Sequence, residues 1–213
     1  MIPNKYLEEM RRNLRLRSRT ANGIVDTSAS KGKEKIVLIT SGDKASELAH
    51  KNFDDAINYA WDMRDAPLST PEDIRKIIEH IGLIINRGIV KEENLIRVLD
   101  SDKYAYVKVA KMKEHMEWFY PKLFERLMQS LGDPVEEAAF TEFQIDIRGH
   151  YFADGCGKTS MVSAAWVLFR RNHPLMEYIG GRDAFYSHTY TGTTKTEDEV
   201  YEEFLEYYRS LFI

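Results

Sequence analysis

The 213-residue chain contains one cysteine, six prolines and no long uninterrupted apolar run. A single cysteine, Cys156, excludes an internal disulfide framework and any multi-cysteine zinc site, and fits a reducing compartment. Nothing approaches the ~20 apolar residues of a membrane span. The opening residues MIPNKYLEEMRRNLRLR are charged throughout and lack the apolar stretch of a signal peptide. A chain of this length is one domain, or one domain with an extension, and buries roughly 70% of its unfolded surface, so its core needs no staple. The expectation is a soluble globular protein.

The net charge is −4, unevenly spread. Residues 1–44 hold ten Lys/Arg against five Asp/Glu, and residues 45–213 hold twenty against twenty-nine. A basic arm on an acidic body has three possible counterparts: nucleic acid, an acidic partner or the body itself. No aromatic residues interleave with its arginines as stacking platforms require, so nucleic acid is not expected.

The hydrophobic pattern is mostly of helical period. Tyr6, Leu7, Met10 and Leu14 recur at three- and four-residue steps. Residues 20–35 read as loop, residues 36–40 as a strand or extended segment, and residues 41–43 as a turn opening a helix over 44–64. Ser69-Thr70-Pro71-Glu72-Asp73 is a strong helix start: a hydroxyl cap, a first-turn proline and acids against the macrodipole. It leads into Ile74, Ile77, Ile78, Ile81 and Ile85. Residues 95–99 and 104–109 are β-prone runs around a polar turn and predict the chain's one hairpin. Further helices are expected over 112–131, with a break at Pro121, and over 135–147, 159–171 and 197–212. Trp61, Trp118 and Trp166 lie in helical stretches and read as core. There is no internal repeat. The fold class is mainly α with one small β-hairpin, divided into a basic helix-and-loop extension (1–44) and a helical domain (45–213).

One segment stands apart: Arg148-Gly149-His150-Tyr151-Phe152-Ala153-Asp154-Gly155-Cys156-Gly157-Lys158-Thr159-Ser160. Two glycines bracket Cys156, and a lysine stands just before a new helix. Glycines let backbone amides turn inward, the helix end adds positive potential and the lysine a full charge, which together suit phosphate. His150 is a candidate base, and Asp154 a hard oxygen ligand suited to Mg²⁺. Gly157-Lys158-Thr159 fits the end of a P-loop, but Phe152 stands where the leading glycine belongs. The chain also lacks the strand and parallel sheet that a P-loop needs. A plain helix–helix turn is the other reading of such glycines.

The segment resembles the signature of the Fic family, HxFx[D/E]GNGRxxR: His150, Phe152, Asp154, Gly155 and Gly157 fall on motif positions, and Lys158 replaces the arginine. The resemblance runs over about residues 45–190, with a helix on each side of the motif and a β-hairpin flap upstream. It implies a helical bundle that transfers AMP from ATP to a Ser, Thr or Tyr hydroxyl of a target protein. Carried over by position, His150 takes the hydroxyl proton and Asp154 holds Mg²⁺. Phe152, Gly155, Cys156, Gly157 and Lys158 form the nucleotide and phosphate site, and the flap aligns the target segment. Further implied partners are an antitoxin-like inhibitor chain and a second copy of the chain. The implied location is the cytoplasm, or a host cell for a secreted effector.

Three departures leave the chemistry open. Cys156 stands at the motif's asparagine, Lys158 gives a point charge where arginine gives a fork, and Met161 stands at the last arginine. Lost contacts of roughly 1–3 kcal/mol each alter nucleotide binding. A phosphotransferase of the Doc type and a catalytically weak binding protein are the alternatives. The restraining motif [ST]xxxE[GN] has no clean copy: Ser30 to Glu34 is followed by Lys35, and Thr193 to Glu197 by Asp198.

Overall fold

The computed structural model describes residues 2–17, 43–100, 105–188 and 194–212. Among them are eight α-helices: α1 (Asn4–Arg17), α2 (Asp43–Asp62), α3 (Pro71–Asn86), α4 (Val109–Met128), α5 (Pro134–Glu142), α6 (Cys156–Arg170), α7 (Gly181–Tyr186) and α8 (Glu197–Arg209). A π-helical turn, Phe143–Gly149, continues α5. The expected loop over 20–35, the extended run over 36–40 and the turn at 41–42 lie outside the described residues, as does the tip of the expected hairpin at 101–104.

Helix starts follow local chemistry. Thr70 donates its N–H to Asp73 Oδ2 at 2.8 Å before Pro71. Asp133 accepts from the amides of Val135 and Glu136. Thr196 and Glu199 form a reciprocal capping box at α8, with Thr196 N donating to Glu199 Oε2 at 2.7 Å. Each pairing satisfies amides that the first helical turn leaves without partners.

The centre of the molecule is α6. Every side chain from Thr159 to Phe169 is buried, as in a helix covered on all faces. Helices α2, α3 and α5 pack around it. Trp166 is fully buried and donates its indole N–H to Met63 O at 3.2 Å. Trp118, expected in the core, is 42% exposed on α4. Pro121 sits inside an unbroken α4. The carbonyl that Pro121 cannot serve belongs to Glu117, which lies on an exposed turn.

Helix α1 is packed on the body rather than standing free. Met10, Asn13, Leu14 and Arg17 are buried, and Arg11 pairs with Asp54 at 2.7 Å. Of the three counterparts open to the basic arm, the body itself receives its helical part.

The expected hairpin takes a different form. No ladder joins residues 95–99 to 105–109 among the described residues. Their amides and carbonyls turn instead to the end of the π turn and the segment that follows it. Arg97 N donates to Tyr151 O at 2.8 Å, Ala153 N to Leu95 O at 2.9 Å and Val107 N to Arg148 O at 2.9 Å. A single bridge pairs Ile96 with Phe152. The reason is Arg97, whose guanidinium donates to the carbonyls of Leu99 at 2.7 Å and Val107 at 2.6 Å. It occupies positions that a cross-strand amide would take.

Candidate functional site

The π turn ends at Gly149, and the chain then reverses through His150, in the left-handed region at φ 49° and ψ 55°. Such a turn widens the helix and re-aims the residues that follow it. Arg97 fixes the reversal, donating through Nε to His150 O at 2.9 Å and through a terminal nitrogen to Gly149 O at 3.3 Å. Asn86, at the end of α3, donates to Asp154 O at 3.2 Å. The loop is thereby tied to α3 and to the 95–108 segment.

Phe152 anchors the loop from below. Its ring is fully buried and lies so close to Gly82 of α3 that a β-carbon there would collide with it. The Phe152 side chain therefore belongs to the core, and at the loop the residue presents only its backbone.

Gly155 caps α6 at φ 65°, a conformation that glycine enters without strain. No side chain caps this end, and the first helical bond is Thr159 N to Gly155 O at 2.8 Å. The amides of Cys156, Gly157 and Lys158 precede that bond and have no helical partner, which is the arrangement that receives anions. Because Gly155 admits the turn, α6 begins at Cys156, three residues earlier than the hydrophobic pattern indicates. Lys158 is half-buried. Burial pulls its pKa down against the opposing charge of Asp154. Asp154 is half-buried too, and its carboxylate makes no hydrogen bond or ion pair with the described residues.

Beneath the loop lies a buried charge cluster that the sequence reading did not assemble. Arg17, from the end of α1, pairs through one terminal nitrogen with Glu142 and through the other with Asp146 Oδ2 at 2.9 Å. Its guanidinium stacks 3.6 Å from the Phe185 ring centre. Tyr186 donates to Asp146 Oδ2 at 2.7 Å, and Tyr178 to Glu142 Oε2 at 2.6 Å. Burial pushes the Glu142 carboxyl up. Burial presses the same way on Asp146, but His150 and Arg17 hold it below the usual range.

His150 connects cluster and loop. Its Nδ1 lies 3.1 Å from Asp146 O and 3.4 Å from Asp146 Oδ1, and its side chain is 25% exposed. Tyr106 stacks on the imidazole, 4.1 Å between centroids and 6° from parallel. Burial works against the imidazolium, yet Cys156 and Asp146 outweigh it and raise the His150 pKa well above its ordinary value. The Cys156 thiol is buried and donates to Ile145 O at 3.4 Å.

His150, Asp154, Gly155, Cys156, Gly157 and Lys158 are thus brought together around one helix end. Arg17, Asp146, Arg97 and Tyr106 are the neighbours that sequence reasoning missed. Only the four-residue step from Asp146 to His150 left a local trace. Of the candidate restraining stretches, residues 30–34 and Thr193 lie outside the described residues, and Glu197 pairs with Arg148 at 2.8 Å.

No family model matches the sequence, and no curated protein matches it either. Solved structures do match in shape. A Fic-domain-containing signalling protein from Bacteroides thetaiotaomicron is 16% identical at TM-score 0.59, covering 99% of this chain and 88% of that one. Fic-1 from C. elegans is 15% identical at TM-score 0.59, covering 99% of this chain and 60% of that one. IbpAFic2 in complex with adenylylated Cdc42 is 15% identical at TM-score 0.56, covering 99% and 71%. This chain has the helical fold of Fic-domain proteins.

Proposed function

We propose that the chain is a Fic-type nucleotidyltransferase that moves AMP from ATP to a Ser, Thr or Tyr hydroxyl of a target protein. The observation that carries the reading is one juxtaposition within a Fic fold. A part-exposed imidazole held by Asp146 shares a loop with the uncapped amide end of α6.

In this reading the nucleotide phosphates rest on the amides of Cys156, Gly157 and Lys158, with the Lys158 charge beside them. The target oxygen attacks the α-phosphorus and gives its proton to His150. The bond from that phosphorus to the bridging oxygen breaks, and pyrophosphate leaves. Most of the acceleration comes from positioning and from fixed charge near the reacting phosphate. Asp154 is the residue that would hold Mg²⁺, and a half-buried carboxylate without a hydrogen bond to the described residues is a fitting hard-oxygen donor. When bound, Mg²⁺ supplies positive charge against the developing charge of the leaving phosphates.

Arg97 and Tyr106 act as positioning residues. Arg97 fixes the His150 carbonyl, and Tyr106 holds the plane of the imidazole. Residues 95–100 and 105–108 offer backbone for a target to pair with in strand fashion. One structural neighbour is held with adenylylated Cdc42; for this chain a protein target of unidentified sequence is proposed. An inhibitor chain and self-association remain proposals alongside it.

A second reading is favoured by Lys158, which presents a point charge, and by the Cys156 thiol, which turns to Ile145 O instead of a ligand. It holds that the γ-phosphate moves, or that nucleotide binds without transfer. The test is label transfer with purified protein, Mg²⁺ and cell lysate, using ATP labelled at the α- or the γ-phosphate, beside His150→Ala. Protein-bound α-label that disappears in the variant is the expected result. Transfer of γ-label alone assigns a phosphotransferase, and binding without label from either assigns a binding protein.

A further inference from the structure

Three chemically different side chains converge beneath the loop. One ligand atom each from Asp146, His150 and Cys156 lies within 4.8 Å of the other two. Asp146 is 1% exposed. Its Oδ2 is taken by Arg17 at 2.9 Å and Tyr186 at 2.7 Å. Its Oδ1 is buried without a hydrogen-bond partner and faces His150 Nδ1 at 3.4 Å.

We propose that Asp146, His150 and Cys156 form a site for a borderline-soft divalent cation, Zn²⁺ by its chemistry. Thiolate, imidazole and carboxylate are the ligand types that Zn²⁺ accepts, and three protein ligands with one open position make a complete set. Bond lengths of ~2.0–2.3 Å place tetrahedral ligands roughly 3.3–3.8 Å apart, so atoms that all lie within 4.8 Å of one another need close by no more than about 1.5 Å. Oδ1, without a hydrogen bond, already faces the imidazole. Arg17 and Tyr186 on Oδ2 supply the outer-shell hold that ligating carboxylates require. Mg²⁺ has no use for a thiolate, so this site is distinct from Asp154.

Occupation has one chemical consequence. A metal on one ring nitrogen leaves the other as N–H, so His150 accepts no proton from a hydroxyl. In the reading proposed above, Zn²⁺ would therefore switch transfer off. The binding itself does not depend on that reading, and its test does not use activity.

Metal-free protein is titrated with Co²⁺, whose thiolate ligation produces a near-ultraviolet charge-transfer absorption, and the bound Co²⁺ is then displaced by Zn²⁺. Expected are one equivalent of Co²⁺, the thiolate band, its loss in Cys156→Ser and tenfold or greater weakening in Asp146→Asn. Tyr186→Phe, which leaves all three ligands in place, weakens binding by about tenfold. Circular dichroism of each variant shows that the fold is kept. Absence of the band in the unaltered protein, or its persistence in folded Cys156→Ser, overturns the site. Should Co²⁺ bind as expected while the protein freed of Co²⁺ and Zn²⁺ forms no labelled protein with ATP and Mg²⁺, the metal site stands and the transferase reading falls.

Discussion

His150 is asked to take a proton where its neighbours favour the charged imidazole. Burial opposes the charge, but the sulfur of Cys156 and the carboxylate of Asp146 more than offset it and raise the pKa. A base works only when deprotonated, so transfer is expected to increase as pH rises above neutrality. Asp146→Asn removes one of the charges that favours imidazolium and keeps the side-chain shape, so it shifts this limb to lower pH. A pH–rate profile of the two proteins checks this, and an unmoved limb would separate Asp146 from the base. Phe152 offers a second test at the same scale. Its buried ring fixes the loop from inside the core, so Phe152→Ala should cost about 3–5 kcal/mol in a denaturant titration.

At the scale of elements, α1 matters most. Arg17 is 4% exposed, against Glu142 at 0% and Asp146 at 1%. Removing one partner from such a cluster strands the others without compensation, whereas removing several together costs less. Arg17→Met is expected to destabilise by roughly 3–5 kcal/mol. The Arg17→Met/Glu142→Gln pair should recover part of that loss, read from a double-mutant cycle. Additive losses would mean that the two charges do not act on one another. The runs 95–99 and 104–109 were legible as β-prone, but the pairing of their described residues was not. That depended on Arg97, whose donors reach carbonyls of Leu99, Val107, Gly149 and His150.

Across the whole molecule, stability should depend on pH through half-buried histidines. His115 on α4 meets the Tyr151 hydroxyl at 2.8 Å. Its pKa falls to about 4, first through burial and then through the nearby Arg148 charge. The unfolded chain takes this proton near pH 6.5. Between those values the unfolded state binds more protons, so the contribution is complete above about pH 6.5 and is lost as pH falls toward 4. Burial lowers His188 as well, which gives a slope of the same sign, whereas the raised His150 gives one of opposite sign that acts only above about pH 6.5. The melting temperature should therefore drop from pH 7 to pH 5, and His115→Gln should flatten that drop without abolishing it. An identical slope in the variant would rule His115 out as its source.

The sequence by itself determined the parts that depend on near neighbours. Capping chemistry at Thr70 marked one helix start, and apolar spacing marked the buried faces. The glycine-bracketed segment after His150 marked the loop and its helix end. Only the tertiary structure decided that Arg17 reaches Asp146, that Arg97 fixes the loop, and that Phe152 serves the core. These contacts join residues far apart in the chain. No local period or spacing encodes which helix end will face which loop once α6 is enclosed. The π turn was hidden for a related reason: residues 143–149 carry an ordinary helical pattern. The wider turn there is stabilised by what surrounds it, with Tyr106 on His150, Arg97 on the carbonyls and Arg17 beneath Asp146.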